Sequence, residues 1–187
     1  WDPRTPAAAR GCETCHGGNP RVADAAKAHV GVLPAADPKS LVNPTRLPET
    51  CGHCHKPELE AFAPTVHAKV LEAAGRGPTC SLCHGAMASS LPSPGELDAR
   101  CETCHKKPVE AKTALAVLAN SKIQLHRARQ SLDAAKGVDP KWYAGALDRF
   151  HALERTYHDV QRKWHTFDTD SVRRECHDLL QLTKALD

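Results

Sequence analysis

Cys12-Glu-Thr-Cys15-His16, Cys51-Gly-His-Cys54-His55, Cys80-Ser-Leu-Cys83-His84 and Cys101-Glu-Thr-Cys104-His105 repeat one pattern: two cysteines three positions apart and a histidine directly after the second. With 9 Cys and 12 His in 187 residues, chance would supply roughly 0.03 such pentapeptides. Two thiols at this spacing can add across the vinyl groups of one haem, and the histidine that follows can bind its iron from one side. Each pentapeptide is therefore read as an attachment point for covalently bound haem c. The eight cysteines tether four porphyrins, and His16, His55, His84 and His105 are the expected proximal ligands.

Two rivals compete for the same cysteines. Structural zinc also takes paired thiols at this spacing, and eight cysteines could form four disulfides. Neither gives a reason for the histidine that follows every pair. Attachment of haem by thioether takes place outside the cytoplasm, so the expected location is periplasmic or extracellular. The chain begins at Trp1, which reads as a secreted chain after removal of a signal peptide. No stretch reaches the roughly 18 apolar residues of a membrane span. The formal net charge is +3, and four haems would add roughly −8 through their propionates. With no basic run interleaved with aromatics, nucleic acid is not an expected partner.

The chain changes character near residue 109. Thirteen of the 14 prolines and nine of the 11 glycines fall at or before Pro108. Such a segment packs poorly on itself and makes sense wrapped round porphyrin faces. The expected fold class is mainly α, with little or no β-sheet. A haem-wrapped, Pro/Gly-rich attachment region, 1–108, is followed by a helical region, 109–187, the two forming a single tetrahaem domain over 1–187. Short helices are expected over Arg21–Val30, ending at Gly31, and over Thr65–Ala74, opened by Pro64 and stopped by Gly75. Their apolar positions would turn His29 and His67 inward.

The second region predicts a helix from Val109 to about Lys136, with a seam of Ala114, Leu118, Ser121, Leu125, Ala128, Leu132 and Ala135. Gly137 suits the C′ position, Asp139 the N-cap and Pro140 the first turn of the next helix. That helix runs to about Phe167 on Phe150, Leu153, Tyr157, Val160, Trp164 and Phe167. Asp168 or Asp170 opens a last one carrying Val172, Cys176, Leu179, Thr183 and Leu186. A helical hairpin plus a third helix results.

Twelve histidines less four proximal ligands leaves eight for at most four further axial positions. This surplus favours bis-histidine iron, which suits electron transfer more than substrate binding. His29 and His67 are the leading distal candidates, and His126 and His177 follow. His151, His158 and His165 recur every seven residues on one helix face, about 10.5 Å apart at about 1.5 Å per residue, and are weaker candidates; a solvated stripe is the alternative. His53 lies between the thiols of its own motif and points elsewhere. Cys176 is the odd thiol. Arg173 stands where a fifth motif would need cysteine, so Cys176 reads as a small buried residue or as an intermolecular bridge.

The segment from Cys51 to Ala68, with His67 placed 12 residues past His55, resembles the haem-binding signature of a group of multihaem cytochromes. The group includes the hydroxylamine oxidoreductases, their tetrahaem partner cytochromes and cytochrome c nitrite reductase. The resemblance implies that His67 is a distal ligand, in many cases to another haem. Gly11-Cys-Glu-Thr-Cys-His-Gly-Gly-Asn-Pro20 followed by Ala28-His29 looks like a second element of the group. Gln161-Arg-Lys-Trp164 with Cys176-His177 is similar to the helical tail of the nitrite reductases, which implies that His177 reaches back to a haem. No motif here ends in lysine, as the catalytic nitrite reductase haem does, and no tyrosine cross-link is apparent. The segment after the third motif, Gly85-Ala-Met-Ala-Ser-Ser90, also lacks the further histidine common at that place in the group, which implies a ligand from the helical tail or another subunit. The catalytic side of the group is thus not implied.

The expected function is a soluble relay of single electrons between redox partner proteins. Two alternatives stay open: a subunit that self-associates into an extracellular cytochrome filament, and a reductase of small nitrogen or sulfur oxides. The last requires one iron with an exchangeable position.

Overall fold

The computed structural model describes residues 11–86 and 92–184. It is mainly helical, with no strand among the described residues. The chain divides into two compact units, Trp1–Pro92 and Ser93–Asp187. This boundary precedes the fourth cysteine motif, whereas the change in composition lies near 109. The fourth motif thus belongs with the helical tail.

Among its described residues the first unit carries six short helices: α1 Glu13–His16, α2 Ala25–Ala28, α3 Leu47–Gly52, α4 Lys56–Phe62, α5 Val66–Ala74 and α6 Cys80–His84. The expected helix over 21–30 contracts to the single turn α2. Asp24 caps it by accepting the Lys27 amide at 3.0 Å, and Asn19 takes the Arg21 amide outside it. The side expected to face inward is exposed: Ala25, Ala26 and His29 are all open, and Val30 is 73% exposed. Helix α5 keeps its expected limits. Thr65 accepts the Ala68 amide, and Gly75 stops the helix in the left-handed region at φ 61°. Its inward residue is Leu71, while Val66 and Val70 face out.

Among described residues 11–86 only Ser40, Gly52, Phe62 and Leu71 are buried. The long loop between α2 and α3 is held instead by polar contacts. Ser40 donates to Leu33 O, Asn43 to Ala35 O, Arg46 to Lys39 O and Thr50 to Leu41 O. Each such bond contributes roughly 1 kcal/mol net, so this unit has order in its backbone but little apolar cohesion.

The second unit is built differently. Ser93 and Glu96 form a reciprocal capping box at the start of α7, Pro94–Glu102. Three long helices follow: α8 Val109–Ala135, α9 Pro140–Lys163 and α10 Thr169–Lys184. Leu125, Ala128 and Leu132 of α8 pack with Ala146, Phe150, Leu153 and Tyr157 of α9 and Leu179 of α10. Ala114, Val160, Val172 and Cys176 continue the core toward the other end, with Trp164 against them. The expected seam is therefore the core, with Leu115 added and Leu118 half-buried. Leu186 lies outside the described residues.

Both connections follow local chemistry. Asp139 accepts the amides of Lys141 and Trp142 and caps α9, with Pro140 in the first turn. Gly137 does not take the left-handed conformation expected of it; Val138 and Asp139 instead donate to Ala135 O, and the chain turns without a positive φ there. At the other end α9 stops at Lys163, short of Phe167. A 3-10 turn, Trp164–Thr166, follows, and Phe167 takes φ 57°. Asp168 then caps α10 by accepting the Ser171 amide. A non-glycine residue in that region costs on the order of 1 kcal/mol, offset here by the packing of Trp164 on Phe167 with ring centres 6.4 Å apart.

Burial, and then the nearby Cys176, push the Tyr157 hydroxyl from 10.0 up to about 12. The unfolded chain ionises this group first. Its contribution to stability is therefore complete below pH 10 and is lost as pH rises toward about 12. Tyr157→Phe should flatten the fall in denaturant midpoint across that window; an unchanged alkaline slope would show that Tyr157 does not control it.

Candidate functional site

All four cysteine motifs sit on a helical turn, and three share one hydrogen-bond pattern outside regular helix. The amides of Cys15 and His16 both donate to Cys12 O, at 3.2 and 2.9 Å. Those of Cys54 and His55 donate to Cys51 O at 3.1 and 2.9 Å, and those of Cys104 and His105 to Cys101 O at 3.2 and 2.9 Å. The remaining motif, Cys80–His84, is the whole of α6 and is capped by Thr79, which accepts the Leu82 amide. Residues three apart on such a turn lie on one side. Each pair of thiols is thus presented together, with its histidine at the end of the turn.

The eight motif cysteines are exposed or half-exposed, whereas Cys176 is buried. Burial pushes the Cys176 thiol up, and its hydrogen bond to Ser121 pulls the other way. It is a core residue of the three-helix unit. In the first unit α3 packs against α6, and the Cys51 and Cys80 thiols share a hydrogen bond. That contact, and then burial, push the Cys51 thiol up, while the same contact lowers Cys80. Burial, and then the nearby sulfurs of Cys51, Cys54 and Cys12, raise Cys15. In the second unit, burial and then Asp98 raise Cys101.

These residues fit haem c in the respect that chemistry demands most. Both thiols of every pair are reachable on one side of one turn, with a histidine held beside them. One contact must open: thioether sulfurs carry no proton, so the Cys51–Cys80 hydrogen bond cannot persist once both are alkylated. Among the described residues no three His, Cys, Asp or Glu side chains converge to hold a bare metal ion. An open depression of about 390 Å³, lined by Ala35, Pro44, Thr45 and Gly75 among others, has no ionisable side chain in its wall.

The histidines are placed unequally. His16, His55 and His105 are exposed and His84 half-buried. Nδ1 of His55 lies 3.9 Å from the Glu58 carboxylate. His29 is exposed, and its Nδ1 lies 2.7 Å from Ala25 O. The same segment is clasped to the first motif: Asn19 donates to Ala28 O, and Gly18, at φ 86°, approaches so closely that a Cβ would lie 2.6 Å from that oxygen. His67 is half-buried on α5. His126 and His177 are exposed on α8 and α10, the latter with Nε2 3.5 Å from the Gln181 amide nitrogen. His151 is half-buried; His158 is exposed, with Nδ1 3.0 Å from Gln161 Oε1; His165 is half-buried, with Nδ1 3.0 Å from Arg162 O. His53 is exposed, as its place between two cysteines suggests. The second contacts that orient His29, His55 and His165 are missing from the sequence reading. Only Glu58, three residues past a motif histidine, leaves a signal there.

No protein-family model, curated protein or solved structure matches the chain. No described helix is long and apolar enough to cross a membrane.

With the thiols free, Cys80 should react with iodoacetamide ahead of Cys51 as pH is raised, because the thiolate is the nucleophile. Peptide mapping after brief alkylation checks the order. Preferential labelling of Cys51 would contradict the opposite directions in which the two thiols are shifted.

Proposed function

We propose that this chain is a tetrahaem c-type cytochrome that passes single electrons between redox partner proteins outside the cytoplasm. One observation carries the reading: four Cys-x-x-Cys-His pentapeptides, each folded on a helical turn that offers both thiols on one side. The thin core of the first unit supports it, since three attachment points lie in a segment with four buried residues among those described. Porphyrin faces would add the apolar mass that this segment lacks, which couples cofactor attachment to folding.

Cys12, Cys15, Cys51, Cys54, Cys80, Cys83, Cys101 and Cys104 would tether the four groups, and His16, His55, His84 and His105 would bind their irons. When bound, haem supplies an iron centre that accepts and returns one electron. The chain's own part is to fix, orient and tune. The Ala25 carbonyl holds His29 in one tautomer, and the Glu58 carboxylate lies near His55. His29 and His67 lead the distal candidates. A relay needs no acid, base or nucleophile, and the surplus of histidine over motifs favours irons closed on both sides. The likeness to the hydroxylamine oxidoreductase and nitrite reductase group enters here as part of the proposal, without its catalytic haem.

Anaerobic reductive titration of the purified holoprotein tests the reading. The account expects four one-electron equivalents per chain, reversed fully on oxidation, with a c-type haem spectrum. Uptake of no electrons would overturn it, and turnover of nitrite or hydroxylamine at an open iron would replace it with a reductase.

A further inference from the structure

We propose that His165 is the distal ligand to the iron held by Cys101, Cys104 and His105; this rests on the haem reading above. The two histidines lie at one end of the second unit. Lys112, in the first turns of α8, pairs with Asp98 of α7, which docks the helix bearing the fourth motif against the start of α8. At that same end Ala114 of α8, Val160 of α9 and Val172 and Cys176 of α10 form one cluster, with Trp164 against it. His165 follows Trp164 directly. His126 lies 14 residues beyond Lys112 on α8, about 21 Å up the helix at about 1.5 Å per residue. His177 follows Cys176 but lies on the exposed side of α10, with Nε2 3.5 Å from the Gln181 side-chain nitrogen, about 12 Å from the start of the helix.

The ring of His165 is set for an iron. Its Nδ1 lies 3.0 Å from Arg162 O, a carbonyl that can only accept. That contact fixes the proton on Nδ1 and the lone pair on Nε2, the pattern seen where imidazole binds metal. His158, the nearest competitor on α9, leans on the side-chain amide of Gln161, which can present oxygen or nitrogen and so fixes no tautomer.

The backbone marks the same two places. Among the described residues, Lys107 and Phe167 alone combine a side chain with positive φ, each at 57°. Each stands two residues past the histidine concerned, His105 or His165. Uncommon backbone of this kind persists where surrounding structure holds it, and it gathers at ligand clamps. Around His165 the holding contacts are plain: Lys163 pairs with Glu175, Thr166 donates to Lys163 O, and Asp168 donates its amide to Thr166 Oγ1 while capping α10. The fourth motif and the turn between α9 and α10 thus form two braced arms at one end of a helical bundle.

Paramagnetic resonance of the oxidised holoprotein tests this. His165→Ala should show one low-spin iron fewer than the wild type and one high-spin iron more, and added imidazole should restore the original count. His165→Met should stay low spin and raise one of four midpoint potentials, since a thioether ligand favours the reduced iron. If His165→Ala keeps four haems by mass and an unchanged spin count, His165 is not a ligand and the haem reading survives. If His165→Ala does not accumulate, four unchanged potentials in His165→Met overturn the proposal equally. Absence of haem from the wild-type chain would overturn both.

Discussion

The carbonyl of each motif's first cysteine is the constraint on which the rest depends. Where it accepts the amides three and four residues on, the chain closes one helical turn, and two thiols are brought to one side with a histidine at its end. A more extended backbone would send the sulfurs apart, and a single porphyrin could not take both. The short helices, the proline-rich connections and the exposed sulfurs of the first unit all follow from building around such turns. Its described residues bury few apolar side chains, and their local order comes from these turns and from side chains bonded to loop carbonyls.

The second unit obeys the opposite logic. Ala114, Phe150, Val160, Val172, Cys176 and Leu179 are almost wholly enclosed, and the three helices need no cofactor to bury them. Burial of a phenylalanine or leucine side chain stabilises by roughly 1.5–3 kcal/mol, so this unit has a ledger of its own. It also carries the fourth motif, through α7 and the Asp98–Lys112 pair. One haem would then be mounted on a rigid bundle and three on a segment whose cohesion depends on them. Under the proposed reading the helical tail would hold one iron at a fixed place and the remaining three would be wrapped.

Much of this is legible in the residues. The three-four spacing of Leu125, Ala128 and Leu132, and of Phe150, Leu153 and Tyr157, marks the bundle core, because packing of long amphipathic helices follows periodicity closely. Asp139-Pro140 and Thr65 mark helix starts for the same reason: a cap is a local event. The misses are local events with two solutions. Arg21 to Val30 has a helix-like pattern, but Asp24 caps at the fourth residue and leaves one turn. Gly137 suits a left-handed stop, yet two amides shared by Ala135 O close the turn without it. Phe167 carries that conformation instead, and nothing in its side chain announces it. The tautomers of His29 and His165 are equally silent in sequence, since each is set by a backbone carbonyl.

Intact-mass measurement of the purified protein under denaturing conditions bears most directly on the account, because a thioether survives where a coordinated ion or a packed ligand does not. The account predicts a single species at the 20.3 kDa chain mass plus four haems. The bare chain mass, or a chain that releases zinc on unfolding, would contradict it.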